Sequence, residues 1–280
     1  MKTILVPVDF SKHSEYALEA AAGLAKKYNT DLVVAHMMGL PETHLTKDEK
    51  QEVFNAMYFL KLTRQKFEAF LDKDYLKGIK VTEAVKDHKV FSELPELARE
   101  YQAGLIVMGS HGASGMKEVF IGSNTEKVVR SSKTPVLVVK NQVKDLEFKK
   151  AIFATDFENE SIGAFEKASE FFESFGVKLK LLYINVPEKF MSSREMEERA
   201  AKFTSELGWD QKEAKKRLDF YDDYTVERGV FNYCHREKVD IIAIPTHGRK
   251  GVAHFFFGSL GEDIANHSDI PVVTFRIQDN

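Results

Sequence analysis

The chain has 280 residues, 43% of them hydrophobic and 30% charged, with 40 Lys+Arg against 43 Asp+Glu. That length makes one large domain or two ordinary ones, and the apolar share can build a core, which excludes a wholly disordered chain. A formal net charge of −3, with Lys and Glu interleaved, lacks the basic excess that phosphate-backbone binding needs, so no nucleic acid partner is expected. The single cysteine, Cys234, excludes an internal disulfide and a thiolate zinc cluster, and it reads as a small buried apolar residue. No apolar run approaches the roughly 20 residues of a membrane-spanning helix, and the opening MKTILVPVDFSKHS turns polar too early for a secretory signal. A cytoplasmic protein without membrane association is expected.

The pattern then runs through the chain twice. Thr3 to Val8 is a short apolar run with the length of a buried strand, followed by Asp9-Phe10-Ser11 and a helical pattern through Ala17, Leu18, Ala21, Leu24, Ala25 and Tyr28, with Ser11 as its cap and Asn29 as its stop. Strand-like runs follow at Leu32 to Met38, Val81 to Val85, Leu105 to Met108 and Pro135 to Val139, with a charged helical insertion near 46–76 and helical segments near 92–102 and before Pro135. The phrase restarts at Ala151-Ile-Phe-Ala154 with Thr155-Asp156-Phe157, then a helix through Ala164, Phe165, Ala168, Phe171, Phe172 and Phe175 that ends at Gly176. Strands are predicted at Val177 to Ile184, Leu218 to Tyr221, Ile241 to Ile244 and Pro271 to Phe275, with an insertion near 190–216 and a helix near 226–237.

Apolar strands alternating with helices predict an α/β fold with parallel sheets covered by helices on both faces. The restart after Lys150 favours two domains, 1–145 and 146–280, over one ten-stranded sheet, with the boundary in the polar stretch Asn141 to Lys150. Bare closing strands would invite aggregation, so they are expected to pair or be covered.

In open parallel sheets, ligands sit beyond the carboxyl ends of the strands where strand order reverses. After the fourth strand comes Gly109-Ser-His-Gly112, nine residues, then Gly122-Ser123-Asn-Thr125 opening a helix, a phosphate-type arrangement of amides and hydroxyls at a helix N-terminus. Glycine turns at this spacing also occur with no ligand. Asp9, after the first strand, would reach the same edge to accept from a ribose or base, or to help hold a metal, and its alternative is a turn residue beside Ser11.

This spacing, with Val6-Pro7-Val8-Asp9-Phe10-Ser11 and Pro135-Val-Leu-Val-Val139, resembles the universal stress protein family in its ATP-binding branch, over essentially the whole chain as two tandem copies. The resemblance implies Rossmann-like domains, each a five-stranded sheet in the order 3-2-1-4-5, with ATP across the ends of strands one and four. By that resemblance Pro7, Val8, Asp9 and Met37 line the base and ribose side. Gly109, Gly112, Gly122, Ser123 and Thr125 hold ribose and phosphates, with Mg²⁺ or Mn²⁺ bound through the phosphates. It also implies pairing of the two domains through their last strands as an internal pseudo-dimer, and a homodimer of chains is left open.

The second copy keeps Asp156, Gly248, Gly258 and Ser259 but places Pro245 where Gly109 stands, Gly261 at Thr125 and Ala154 at Pro7. Proline removes an amide donor, so this loop reads as a degenerate nucleotide site. His111 and His247 read as loop hydrogen-bonders, His36 as a satisfied imidazole, Lys117 as a solvated lysine, and Trp209 and Phe255-Phe256-Phe257 as packing residues. No Walker loop, G-x-G-x-x-G after the first strand or nucleophile elbow is present in the sequence. The expectation is a nucleotide-responsive stress regulator with an unidentified protein partner and slow or absent hydrolysis. The alternatives are a low-turnover ATPase or phosphotransferase and an adaptor without nucleotide.

Overall fold

A computed structural model of the chain describes residues 1–37, 49–86, 93–110, 123–246 and 268–277. The first half contains β1 (Thr3–Pro7), α1 (Lys12–Tyr28), β2 (Asp31–Met37), α2 (Glu49–Leu71), β3 (Val81–Lys86), α3 (Leu94–Glu100), β4 (Ala103–Gly109), α4 (Ser123–Ser131) and β5 (Val136–Val139). The second contains β6 (Ala151–Ala154), α5 (Ile162–Glu173), β7 (Lys180–Asn185), α6 (Ser193–Glu206), α7 (Gln211–Arg217), β8 (Leu218–Asp222), α8 (Val226–Glu237), β9 (Ile241–Thr246) and β10 (Val272–Arg276).

Both expected strand orders are present, and they join. The sheet runs β3-β2-β1-β4-β5-β10-β9-β6-β7-β8, which is 3-2-1-4-5 in each half. Within each half every pairing is parallel, for example Ile4 opposite Leu32 and Leu105, and Ile152 opposite Ile242. At the centre β5 and β10 pair antiparallel, Val272 opposite Val138 and Val273 opposite Leu137. Duplication and a ten-stranded sheet, set against each other in the sequence, are therefore both true. Pairing the closing strands buries them fully: Val136 to Val139 and Val272, Val273 and Phe275 are at most 2% exposed.

The helix ends follow their local chemistry. Ser11 Oγ accepts from the Ser14 amide at 3.2 Å, and Asn29 closes α1 in the left-handed region at φ 51°. The predicted helix ending at Gly176 stops earlier, at Glu173, and Gly176 takes φ 75° in the turn that follows. That turn uses Val177, whose amide donates to Phe172 O, so β7 begins only at Lys180. The insertion near 190–216 is two helices; the first opens with a capping box between Ser192 and Glu195.

The stretch between the halves is anchored and is no free hinge. Leu146 and Phe148 are 5% and 3% exposed, and the Phe148 ring lies 5.4 Å from Phe172. A Cβ on Gly23 of α1 would come within 2.8 Å of the Leu146 amide nitrogen, so glycine lets this stretch lie against the helix. Trp209 packs on Phe165 at 5.4 Å and under the Arg217 guanidinium at 4.3 Å, and Cys234 is buried with its thiol pushed up to about 12 by burial. Among the described residues no helix is long and apolar enough to cross a membrane.

Candidate functional site

Strand order reverses between β1 and β4 in the first half and between β6 and β9 in the second, so the carboxyl ends of these pairs are the places where a crevice forms. Beyond β1 the Val8 amide donates to Ala35 O at 2.7 Å and extends the ladder by one residue. The chain then turns. Asp9 Oδ1 accepts from the Ser11 amide at 3.0 Å, and Phe10 takes φ 62°. A left-handed phenylalanine is uncommon, and its surroundings hold it: the ring sits 4.5 Å from His36, 5.3 Å from Phe67 and 5.5 Å from Phe70. His36 Nδ1 donates to Val8 O at 2.8 Å, because a carbonyl can only accept, and the imidazole is satisfied as the sequence suggested. Pro7, Val8 and Met37 are buried around the strand ends.

On the β4 side, Gly109 ends the strand opposite Val139. A Cβ there would lie 2.6 Å from His13 O and 2.7 Å from His13 C, so glycine is required by the first turn of α1. Thr125, 4% exposed, donates its hydroxyl proton to Gly109 O at 2.8 Å and ties α4 to the strand end. A hydroxyl has one proton to give, so in this geometry Thr125 can only accept from a ligand. Ser123 opens α4. Gly112, Gly122 and the side chain of Ser123 lie outside the described part of the chain, as do His111 and Lys117. The same holds for Gly248, Gly258, Ser259, Gly261, His247 and Phe255-Phe256-Phe257.

The second half repeats the turn. The Thr155 amide donates to Leu182 O at 3.0 Å, Asp156 Oδ1 accepts from the Glu158 amide at 3.2 Å, and Phe157 takes φ 60°. Its ring stacks on Tyr183 at 5.2 Å, where the first half has Phe10 on His36. Burial raises the Asp156 carboxyl above the ordinary carboxylate range, against the pull of the Glu158 amide and of Arg199.

Beside Asp156 lies a cavity of about 320 Å³, walled by Ala154, Leu182, Ile184, Met191, Arg199 and Val226 among others. The buried Asn185 side chain fixes its rim by pairing with both the amide and the carbonyl of Met191, at 3.0 and 3.3 Å. Arg199 reaches from α6 to an ion pair with Glu158. Neither Met191 nor Arg199 was picked from the sequence. Arg199 stands 41 residues from its partner in a charged insertion, and no spacing rule links them. Among the described residues no group of three His, Cys, Asp or Glu side chains could hold a metal ion.

The repeat along the chain has its counterpart in known proteins. The family model for the universal stress protein family matches the chain twice, over residues 1–140 and 147–276. The chain belongs to the universal stress protein family. Universal stress protein YxiE of Bacillus subtilis is 31% identical over 145 residues, 49% of this chain and 97% of that protein. Universal stress protein MJ0577 of Methanocaldococcus jannaschii is 29% identical over 160 residues, 50% of this chain and 96% of that protein. Each relative thus corresponds to about half of this tandem chain. A crystal structure of a universal stress protein from Archaeoglobus fulgidus is similar over 99% of this chain and 97% of its own, with a TM-score of 0.62 and 22% identity, a likeness of fold.

Proposed function

We propose that this universal stress protein binds ATP in its first half, at the carboxyl ends of β1 and β4, and acts as a nucleotide-responsive regulator that hydrolyses ATP slowly or not at all. The observation that carries the reading is the Asp9-Phe10-Ser11 turn. It stands beyond β1, beside β4, at the point where strand order reverses and a nucleotide crevice is expected. Pro7, Val8 and Met37 would supply apolar contact for the base, and Asp9 an acceptor for the ribose. Gly109, Gly112, Gly122, Ser123 and Thr125 would lie along the phosphates, whose charge suits the N-terminus of α4. A divalent ion would depend on the phosphate oxygens, with Mg²⁺ or Mn²⁺ the natural choices.

Slow turnover is supported by the roles left to the described polar groups near β1: Asp9 is assigned to the ribose and His36 Nδ1 is bonded to Val8 O, so neither is assigned to positioning water at the γ-phosphate. The joined β5 and β10 fit an internal pseudo-dimer, in which one chain supplies its own partner domain.

Calorimetry with ATP, with and without Mg²⁺, tests the assignment. Binding is expected to persist in Gly258→Val and to vanish in Gly122→Val. Steady phosphate release that disappears in Asp9→Ala would replace the regulator with a slow ATPase.

A further inference from the structure

We infer that a groove at the outer end of the second half, beyond β7 and β8, docks an exposed arginine side chain of a partner protein. The groove measures about 520 Å³ and lies between two loops, with Asn185 to Pro187 and Phe190 on one side and Asp222 to Tyr224 on the other. It shares Phe190 with the cavity beside Asp156 but none of that cavity's polar groups. β8 is the last strand of the sheet and pairs with β7 alone, so no further strand closes the groove on its outer side and a segment of another chain can reach it.

Two aromatic rings stand in this groove with most of their surface in water. Phe190 is 72% exposed and Tyr224 is 73% exposed, more than any other large apolar side chain among the described residues. One exposed ring is ordinary, but two brought to one groove from separate loops form a patch that suits a partner. Both loops are held. Asn185 pairs with the amide and the carbonyl of Met191, next to Phe190. On the other side Asp223, 7% exposed, pairs with Arg228 at 3.2 Å and accepts from Asn232 at 2.8 Å, and the Arg228 guanidinium lies 5.4 Å from the centre of the Tyr224 ring.

The charges decide what the groove takes. Asp223 is neutralised by Arg228, whereas Asp222 accepts only from Asn185 Nδ2, at 2.9 Å, and no cation among the described residues pairs with it. Lys189, beside Phe190 in the chain, lines the neighbouring cavity and not this groove. One carboxylate is thus left uncompensated beside two open rings. A cation gains from the carboxylate and from the ring faces together, while a purely apolar occupant would strip water from Asp222 and give nothing back. A guanidinium fits better than an ammonium, because its plane stacks on a ring while its fork of N–H groups meets a carboxylate. None of this rests on the ATP reading of the first half.

An NMR titration of the full chain with capped tetra-arginine, tetra-lysine and tetra-glutamine peptides tests the inference. Tetra-arginine is expected to bind with a Kd of about 1 mM or tighter, at least about threefold more tightly than tetra-lysine, and to shift the amides of Phe190, Asp222 and Tyr224. Asp222→Asn, which keeps an acceptor for Asn185 and removes only the charge, and Phe190→Ala and Tyr224→Ala, all at exposed positions, should each weaken it about threefold or more. Glu197→Gln removes the same charge from an exposed site on α6 and should leave binding within twofold of the wild type. The inference is overturned if tetra-arginine does not bind, if tetra-lysine or tetra-glutamine binds as tightly, if the groove variants leave binding unmoved, or if Glu197→Gln weakens it as much as they do. A dimer of the wild-type chain that Phe190→Ala or Tyr224→Ala splits into monomers would give the groove to a second copy and also overturn it.

Discussion

The two halves begin alike and diverge one residue after their shared turn. Asp9-Phe10 and Asp156-Phe157 make the same bend, with φ values of 62° and 60° and the aspartate accepting from the amide two residues on. Next comes Ser11 in one half and Glu158 in the other. Ser11 caps α1, which starts at once at Lys12 and lies so close to β4 that only glycine fits at 109. Glu158 makes no cap hydrogen bond; the chain passes through a 3-10 turn, Asn159–Ser161, before α5 starts at Ile162, and the position matching Gly109 carries Pro245. Glu158 holds Arg199 at the cavity instead. One exchange at a helix cap thus goes with a tight strand end in the first half and an open cavity in the second.

The largest effects should come from the aromatic turn residues. Phe157 is 3% exposed between Tyr183 and Phe203, so Phe157→Ala is expected to cost about 4 kcal/mol, whereas Phe10→Ala, at a half-buried ring, should cost about 2 kcal/mol. Denaturant unfolding reads both, and equal losses would erase this distinction between the turns.

A smaller effect is expected at the strand ends. Gly109→Ala drives a methyl into the His13 backbone and should cost about 2 kcal/mol through the clash, while Pro245→Gly should cost about 2 kcal/mol by a different route, the loss of a buried ring and a looser unfolded chain. If Gly109→Ala is neutral, close approach of α1 is not why glycine is there.

The smallest effect distinguishes the aspartates by pH. A folded-state pKa raised by burial means that the folded chain binds the extra proton, so this contribution to stability is present in full below the unfolded value near 3.8 and is lost as pH rises through the folded one. Asp156→Asn, which cannot ionise, should therefore melt slightly above the wild type at pH 7, with the gap closing as the pH is lowered. A constant gap across that range would assign the effect to packing.

Much of the architecture was legible because apolar strand runs and helix periodicity are local signals, and because the second copy repeats the first. Ser11 and Asn29 could be read as caps for the same reason. The Asp-Phe turn was visible as a phrase but its backbone was not, since a left-handed phenylalanine is held by rings from β2 and α2 far along the chain. Gly109 was read for ligand approach, while its described contact is with α1, a neighbour that only the fold supplies. The cavity by Asp156 was hidden altogether. Its wall is completed by Met191 and Arg199, placed by Asn185 and Glu158 across separations that carry no periodicity.

The antiparallel seam between β5 and β10 sends the two halves' strands in opposite directions. The crevice beyond β1 and β4 and the cavity beyond β6 therefore open at opposite poles of the molecule, separated by about 20 Å or more, the span of a single strand at roughly 3.3 Å per residue. No single small ligand can bridge them. Any coupling between the two poles would have to cross the molecule, through the paired β5 and β10 and the rings of Tyr28, Phe148, Phe172 and Phe175 packed between the halves, and two partners could read the two poles at the same time without touching.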